Sequence, residues 1–312
     1  MNGPLRIVGF LAVLAVVFAG ALAVGNAAGP VSEPVADDPA DHSAEHAAED
    51  DAHAGHVPAA GEEVPGGLMV SQDGYTLRLL TMSAEPGRDV PIRFTIEGPD
   101  GGPVTAYDVE HGKQLHLIAV RRDVTGFQHV HPTLRENGVW VSRLDLTAGD
   151  WRVFTDFNPT GGVGLTLGAD LTVPGLYRPE ALPGPARTAQ VDGYTVRLAG
   201  ALTPGEDSTL TLTVSRGGRP VTDLQPYLGA YGHLVALREG DLAYLHVHPE
   251  GAPGDGTTES GPDVEFEAAV PSAGRYRLFL DFRHDGSVHT AEFALAAAGA
   301  GGGEGGSHGH SH

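Results

Sequence analysis

Three histidines occur twice in this chain at the same spacing. His116 is followed by His129 and His131 in HLIAVRRDVTGFQHVHP, and 117 residues further on His233 is followed by His246 and His248 in HLVALREGDLAYLHVHP. Neutral imidazole is the commonest protein ligand for zinc and copper, and a His-x-His on a strand turns both rings to one face. As a hairpin with Arg122 to Thr125 in its loop, the first segment sets His116 opposite His131. With Glu239 to Leu242 in the loop, the second sets His233 opposite His248. Directly opposed residues of an antiparallel pair share a face, and His129 and His246 lie two residues back on it. Each copy is therefore expected to bring three imidazoles together, an open coordination sphere of the kind found in catalytic zinc or exchangeable copper sites. A register slip of one residue would turn His116 or His233 to the opposite face.

The second copy has further donors close by in sequence: Asp281, His284 and His289 in LDFRHDGSVHTAEF. The first copy reads TDFNPTGGVGLTL there and keeps only Asp156. The expected site is accordingly His233, His246, His248, His289, Asp281 and His284, with His116, His129 and His131 as a weaker copy. A competing reading makes each His-x-His-Pro a strand corner ended by Pro132 or Pro249. Its rings would then be satisfied by backbone groups and partly buried beside Phe127, Ile118 and Val120. Asp156 and Asp281, each following an aromatic run, read more readily as turn-formers than as catalytic carboxylates.

Composition narrows the chemistry. With no cysteine in 312 residues, disulfides, iron–sulfur clusters, thiolate copper sites and cysteine nucleophiles are excluded. Past the start only Met69 and Met82 remain, too few for a methionine-rich Cu(I) site. A metal here would be held by nitrogen and oxygen, which favours a divalent ion such as copper or zinc. No P-loop or dinucleotide fingerprint is present, so no organic cofactor is expected. Nor does a well-placed general acid or base point to an enzyme. The formal net charge is −21, and residues 29–65 contain ten acids with no Lys or Arg, which argues against nucleic acid as a partner. The expected partners are a metal ion and a membrane metal transporter or other exported protein.

Residues 1–28 read as a signal peptide or N-terminal membrane anchor: Arg6, an apolar run from Ile7 to Val24, then small residues. The protein is thus expected outside the cytoplasmic membrane, touching it only through this segment. Residues 29–65, carrying His42, His46, His53 and His56, read as a disordered acidic linker. From Gly67 two homologous halves run in series. Asp73-Gly74-Tyr75-Thr76 is repeated at Asp192-Gly193-Tyr194-Thr195, and Trp151 to Phe157 is answered by Tyr276 to Phe282. Short alternating segments in each half, such as TLRLL, PIRFTIE and VWVSRLDL, lie between Gly, Pro and Asp turns. The fold class expected is all-β: two tandem immunoglobulin-like β-sandwich domains, residues 66–177 and 189–297. A Pro-rich joint (178–188) separates them, and a flexible Gly/His-rich tail (298–312) follows.

PYLGAYGHLVALREGDLAYLHVHP resembles a motif of exported bacterial proteins with small sandwich domains, often described as heavy-metal or copper associated. The motif residues here are Tyr227, Leu228, Gly229, His233, His246, His248 and Pro249. The first half matches at His116, His129, His131 and Pro132 but has Glu110-His111-Gly112 in place of Tyr-Leu-Gly. The resemblance spans nearly all of residues 67–297 and implies copper handling outside the cell. Since histidine must be neutral to bind metal, affinity is expected to fall as pH drops through about 6 to 7.

Overall fold

The computed structural model describes residues 64–297 apart from His246. The leader, almost all of the acidic linker, the tail and His246 lie outside the described residues. Among those described, the one helical element is a short 3-10 turn at Glu136–Gly138, and no helix is long and apolar enough to cross a membrane.

The first repeat supplies β1 (Ser71–Gln72), β2 (Tyr75–Leu79), β3 (Gly87–Glu97), β4 (Leu115–Arg121), β5 (Gln128–Val130), β6 (Thr133–Leu134), β7 (Val139–Leu146), β8 (Gly149–Phe157) and β9 (Leu165–Val173). One sheet runs β1-β2-β3-β7-β6 and the other β5-β4-β8-β9. The second repeat supplies β10 (Thr188–Val191), β11 (Tyr194–Gly200), β12 (Asp207–Arg216), β13 (Arg219–Pro220), β14 (Gly232–Arg238), β15 (Tyr244–Leu245), β16 (Val247–Pro249), β17 (Asp263–Ala269), β18 (Gly274–His284) and β19 (Ser287–Ala297). Its sheets run β10-β11-β12-β17-β16, with β13 on β12, and β15-β14-β18-β19. Two antiparallel sheets face each other in each repeat, so the chain is a tandem of immunoglobulin-like sandwiches.

Burial patterns explain the sequence patterns. Strand β7 alternates along VWVSRLDL, with Trp140, Ser142, Leu144 and Leu146 inward and the others toward solvent. Strand β4, by contrast, is buried at every residue of LHLIAVR. Leu115, Leu117 and Ala119 enter the first sandwich's core with Trp140 and Trp151. Ile118 and Val120 point the other way, into a cluster with Phe154 of β8 and with Val235, Leu237, Leu242 and Phe279 of the second repeat. A strand covered on both faces reads as a near-continuous apolar run, which is why HLIAV and HLVAL lack alternation. The two sandwiches therefore join through β4 and β8 on one side and β14 and β18 on the other. Phe127 and Phe279 stack across this seam, ring centroids 4.0 Å apart and 4° from parallel. His116 and His233 sit on the seam-facing sides of their strands.

Candidate metal centre

The hairpin register inferred from sequence is the one adopted. Leu117 pairs with Val130 and Ile118 with His129, which brings His131 into line with His116. One ring nitrogen from each of His116, His129 and His131 lies within 4.8 Å of the others, the one such histidine group among the described residues. His116 Nδ1 and His129 Nε2 are 3.0 Å apart. Two ligands at bonding distance from one tetrahedral ion are separated by about 3.3 Å, so this pair already has the spacing of a chelate.

The remaining contacts fix which nitrogens present lone pairs. The Glu110 carbonyl oxygen, 3.2 Å from His116 Nε2, can only accept, so Nε2 carries the hydrogen and Nδ1 a lone pair. Asp281 Oδ2, 2.9 Å from His129 Nδ1, likewise accepts, leaving a lone pair on His129 Nε2. With both rings neutral, two lone pairs face each other at 3.0 Å, a repulsion that either a shared proton or a cation relieves. Burial above all, with the neighbouring His129 second, pushes the His116 pKa down to about 3, so His116 itself stays neutral. Burial lowers His131 to about 4 for the same reasons, and its Nε2 is buried without a hydrogen-bond partner. Orphaning a buried polar nitrogen costs about 1–3 kcal/mol, a cost that a metal bond would remove. Imidazoles whose second nitrogens donate to a carboxylate or a backbone carbonyl have the arrangement usual around protein-bound metal ions.

The supporting groups come from both repeats. Asp281 is 4% exposed and also accepts from Thr290 Oγ1 at 2.6 Å. It lies beside His233 on the adjacent strand, yet its second oxygen reaches across the seam to His129 of the first sandwich. Asp156 holds the equivalent place beside His116 and accepts from Thr166 Oγ1 at 3.1 Å. Both carboxylates are thus part of the seam, rather than the turn-formers expected from sequence.

Each copy opens with a tight turn that aims a carbonyl at the first histidine. Glu110 and Lys113 exchange backbone hydrogen bonds across His111 (φ 47°) and Gly112 (φ 72°). Tyr227 and Ala230 do the same across Leu228 (φ 53°) and Gly229 (φ 77°). Two successive positive φ values define a type I′ turn, whose second position suits glycine. His233 Nε2 donates to the Tyr227 carbonyl at 2.9 Å, just as His116 Nε2 donates to Glu110. Glu-His-Gly and Tyr-Leu-Gly therefore place a carbonyl on the first histidine of each copy in the same way.

The second copy is arranged differently from expectation. In the first repeat the chain crosses to the opposite sheet only at Thr133, beyond His131. In the second it has crossed by Val247, which pairs with Ala268, and His248 then pairs with Glu267. His248 is exposed on that other sheet while His233 stays buried on β14. His284 and His289 do not join His233. They surround Tyr194, with His284 Nδ1 2.7 Å from the Tyr194 hydroxyl, His284 Nε2 3.0 Å from Asp223 and His289 Nδ1 2.8 Å from Asp192. Among the described residues, which leave out His246, the gathered triad is His116, His129 and His131, with Asp281 as support for His129. Two features escaped sequence reading, namely the seam-crossing partner of Asp281 and the presence of His111, whose ring lies 5.4 Å from that of His233.

Fold and site together define a class of protein: two immunoglobulin-like sandwiches fused along a histidine-lined seam. The chain belongs to the family described as "Domain of unknown function (DUF8832)", which it matches twice, over residues 70–175 and 189–299. No curated protein matches it. Among solved structures it is similar to the Escherichia coli adhesin FdeC, at 17% identity and a TM-score of 0.25 over 73% of this chain and 65% of that one. It is similar also to the Yersinia pseudotuberculosis adhesin InvE, at 14% identity and a TM-score of 0.23 over 72% and 59%. The tandem Ig repeats of Dlar follow at 11% identity and a TM-score of 0.19, over 72% of this chain and 98% of that one. The chain thus spans less than two thirds of either adhesin's length, and overlaps this low carry no argument about function.

Proposed function

We propose that this protein binds a divalent metal ion, Cu(II) or Zn(II), outside the cell, to sequester it or pass it on, and that it performs no catalysis. The observation that carries this reading is the pair of lone-pair nitrogens, His116 Nδ1 and His129 Nε2, facing each other at 3.0 Å with their other nitrogens held by Glu110 and Asp281. His131 would complete three nitrogen ligands and leave a further coordination position for water or for a receiving partner, such as a membrane transporter or another exported protein. With no thiolate in the chain, the donor set suits copper(II) or zinc.

A second reading, an interaction module whose histidines only tie the sandwiches together, is favoured by one observation: the His129–Asp281 bond itself joins the two repeats. Competition titrations of the full chain with Cu(II) and Zn(II) separate the two. Metal binding predicts that the triple change of His116, His129 and His131 to Ala removes one tightly held equivalent. The structural reading predicts unchanged metal uptake, with these variants losing stability equally in the presence and absence of a chelator.

A further inference from the structure

A cleft of about 370 Å³ opens onto His116 and His129 of the triad, and its lining also includes His111, His233 and His248. Exposure grades along it. His111 and His248 are exposed, whereas His116 and His233 are 6% and 8% exposed. The rings form a continuous file: His111 lies 5.4 Å from His233 and 6.2 Å from His116, His233 lies 6.3 Å from His129, and His116 and His129 are 5.3 Å apart by centroid. His233 has Nε2 engaged by the Tyr227 carbonyl, so its Nδ1 presents a lone pair. Glu110 and Asp156 also line the cleft and add negative charge to it.

We infer that His111, with His233 behind it, is the loading station through which a divalent metal ion passes from solvent to the His116–His129–His131 triad. The inference rests on the metal-binding reading above. A hydrated dication entering a cleft walled by protein loses water ligands, and doing so without replacement is costly. An exposed imidazole on the tip of the Glu110–Lys113 turn replaces the first of them. The next ring lies within one short transfer, so the ion is never without a nitrogen ligand. His111 belongs to the first sandwich and His233 to the second, so the station exists only where the two repeats meet. A station on the path lowers the barrier for loading and for release alike, and therefore changes rates rather than equilibrium affinity.

The variant His111→Asn tests this, because asparagine tolerates the positive φ of that turn while removing the imidazole. Cu(II), supplied as its glycine complex, is mixed with the full chain in a stopped-flow instrument. Loading is followed by the visible absorbance that the variant with Ala at 116, 129 and 131 lacks. Loading and chelator-driven release are both expected to slow by roughly tenfold in His111→Asn, with the triad's affinity held. Unchanged rates alongside intact triad binding would overturn the loading station and leave the metal-binding reading standing. A loss of affinity in His111→Asn matching that of a triad variant would also overturn it, since His111 would then be a resident ligand. Absence of any triad-dependent absorbance in the wild-type chain would instead defeat the metal-binding reading itself.

Discussion

His116, His131 and His233 differ from solvent imidazoles because burial keeps them neutral. With pKa values near 3 for His116 and near 4 for His131 and His233, proton competition at these rings begins well below the ordinary imidazole range. Proton competition at His116 and His131 is therefore weak between pH 7 and 6. The same shifts make a stability prediction. Each folded pKa lies below the unfolded value of about 6.5, so the unfolded chain binds more protons as pH falls from 6.5, and folded stability falls with it. The expected loss is about 2 kcal/mol per histidine between pH 7 and 5, measured by denaturant unfolding of the metal-free protein at the two pH values. Changing His116, His131 and His233 to apolar residues should flatten that dependence. At this scale the sequence was informative about ligand type and shared face, because the alternation of a strand fixes which rings converge. It was silent on burial and on Asp281, because the partner of Asp281 lies 152 residues away in the other repeat.

Among the elements, the turns and the sheet-switching corners decide where the histidines of each copy lie. The hairpin register of β4 and β5 was legible because two fixed points, the loop and the His-x-His-Pro end, leave a single pairing that puts all three histidines on one face. Where each chain crosses between sheets was not legible. QHVHPT and LHVHPE look alike, yet the crossing comes beyond His131 in one and has happened by Val247 in the other. The Tyr-Leu-Gly motif likewise became intelligible only as a turn that aims a carbonyl. Gly112 shows this in its simplest form. A Cβ there would meet only Leu228 Cα at 3.9 Å, so space is available, but the φ of 72° is strained for any L side chain. Gly112→Ala is expected to cost about 1 kcal/mol of stability and to weaken metal binding by loosening the Glu110 carbonyl from His116. Calorimetric unfolding together with a Zn(II) titration checks both halves of that expectation.

At the scale of the whole molecule, duplication gave two related hairpins, and fusion of the sandwiches put them on one seam. The near-continuous apolar runs HLIAV and HLVAL announced strands covered on both faces, although from sequence they read only as short strands of separate domains. Once β4, β8, β14 and β18 close on one another, Asp281 of the second sandwich can orient His129 of the first. Under the metal-binding proposal, affinity would then depend on a residue that contacts no metal. Asp281→Asn is expected to lower Cu(II) or Zn(II) affinity by about 10–100-fold, while circular dichroism shows the sandwiches intact. A site confined to the first sandwich would leave affinity unchanged in that variant.

The most direct test is X-ray absorption at the zinc edge for the full chain loaded with one equivalent of Zn(II). The metal-binding proposal predicts three imidazole nitrogens at about 2.0 Å, a shell that disappears when His116, His129 and His131 are changed to alanine. A shell dominated by oxygen, or an imidazole shell that persists unchanged in that triple variant, would contradict it.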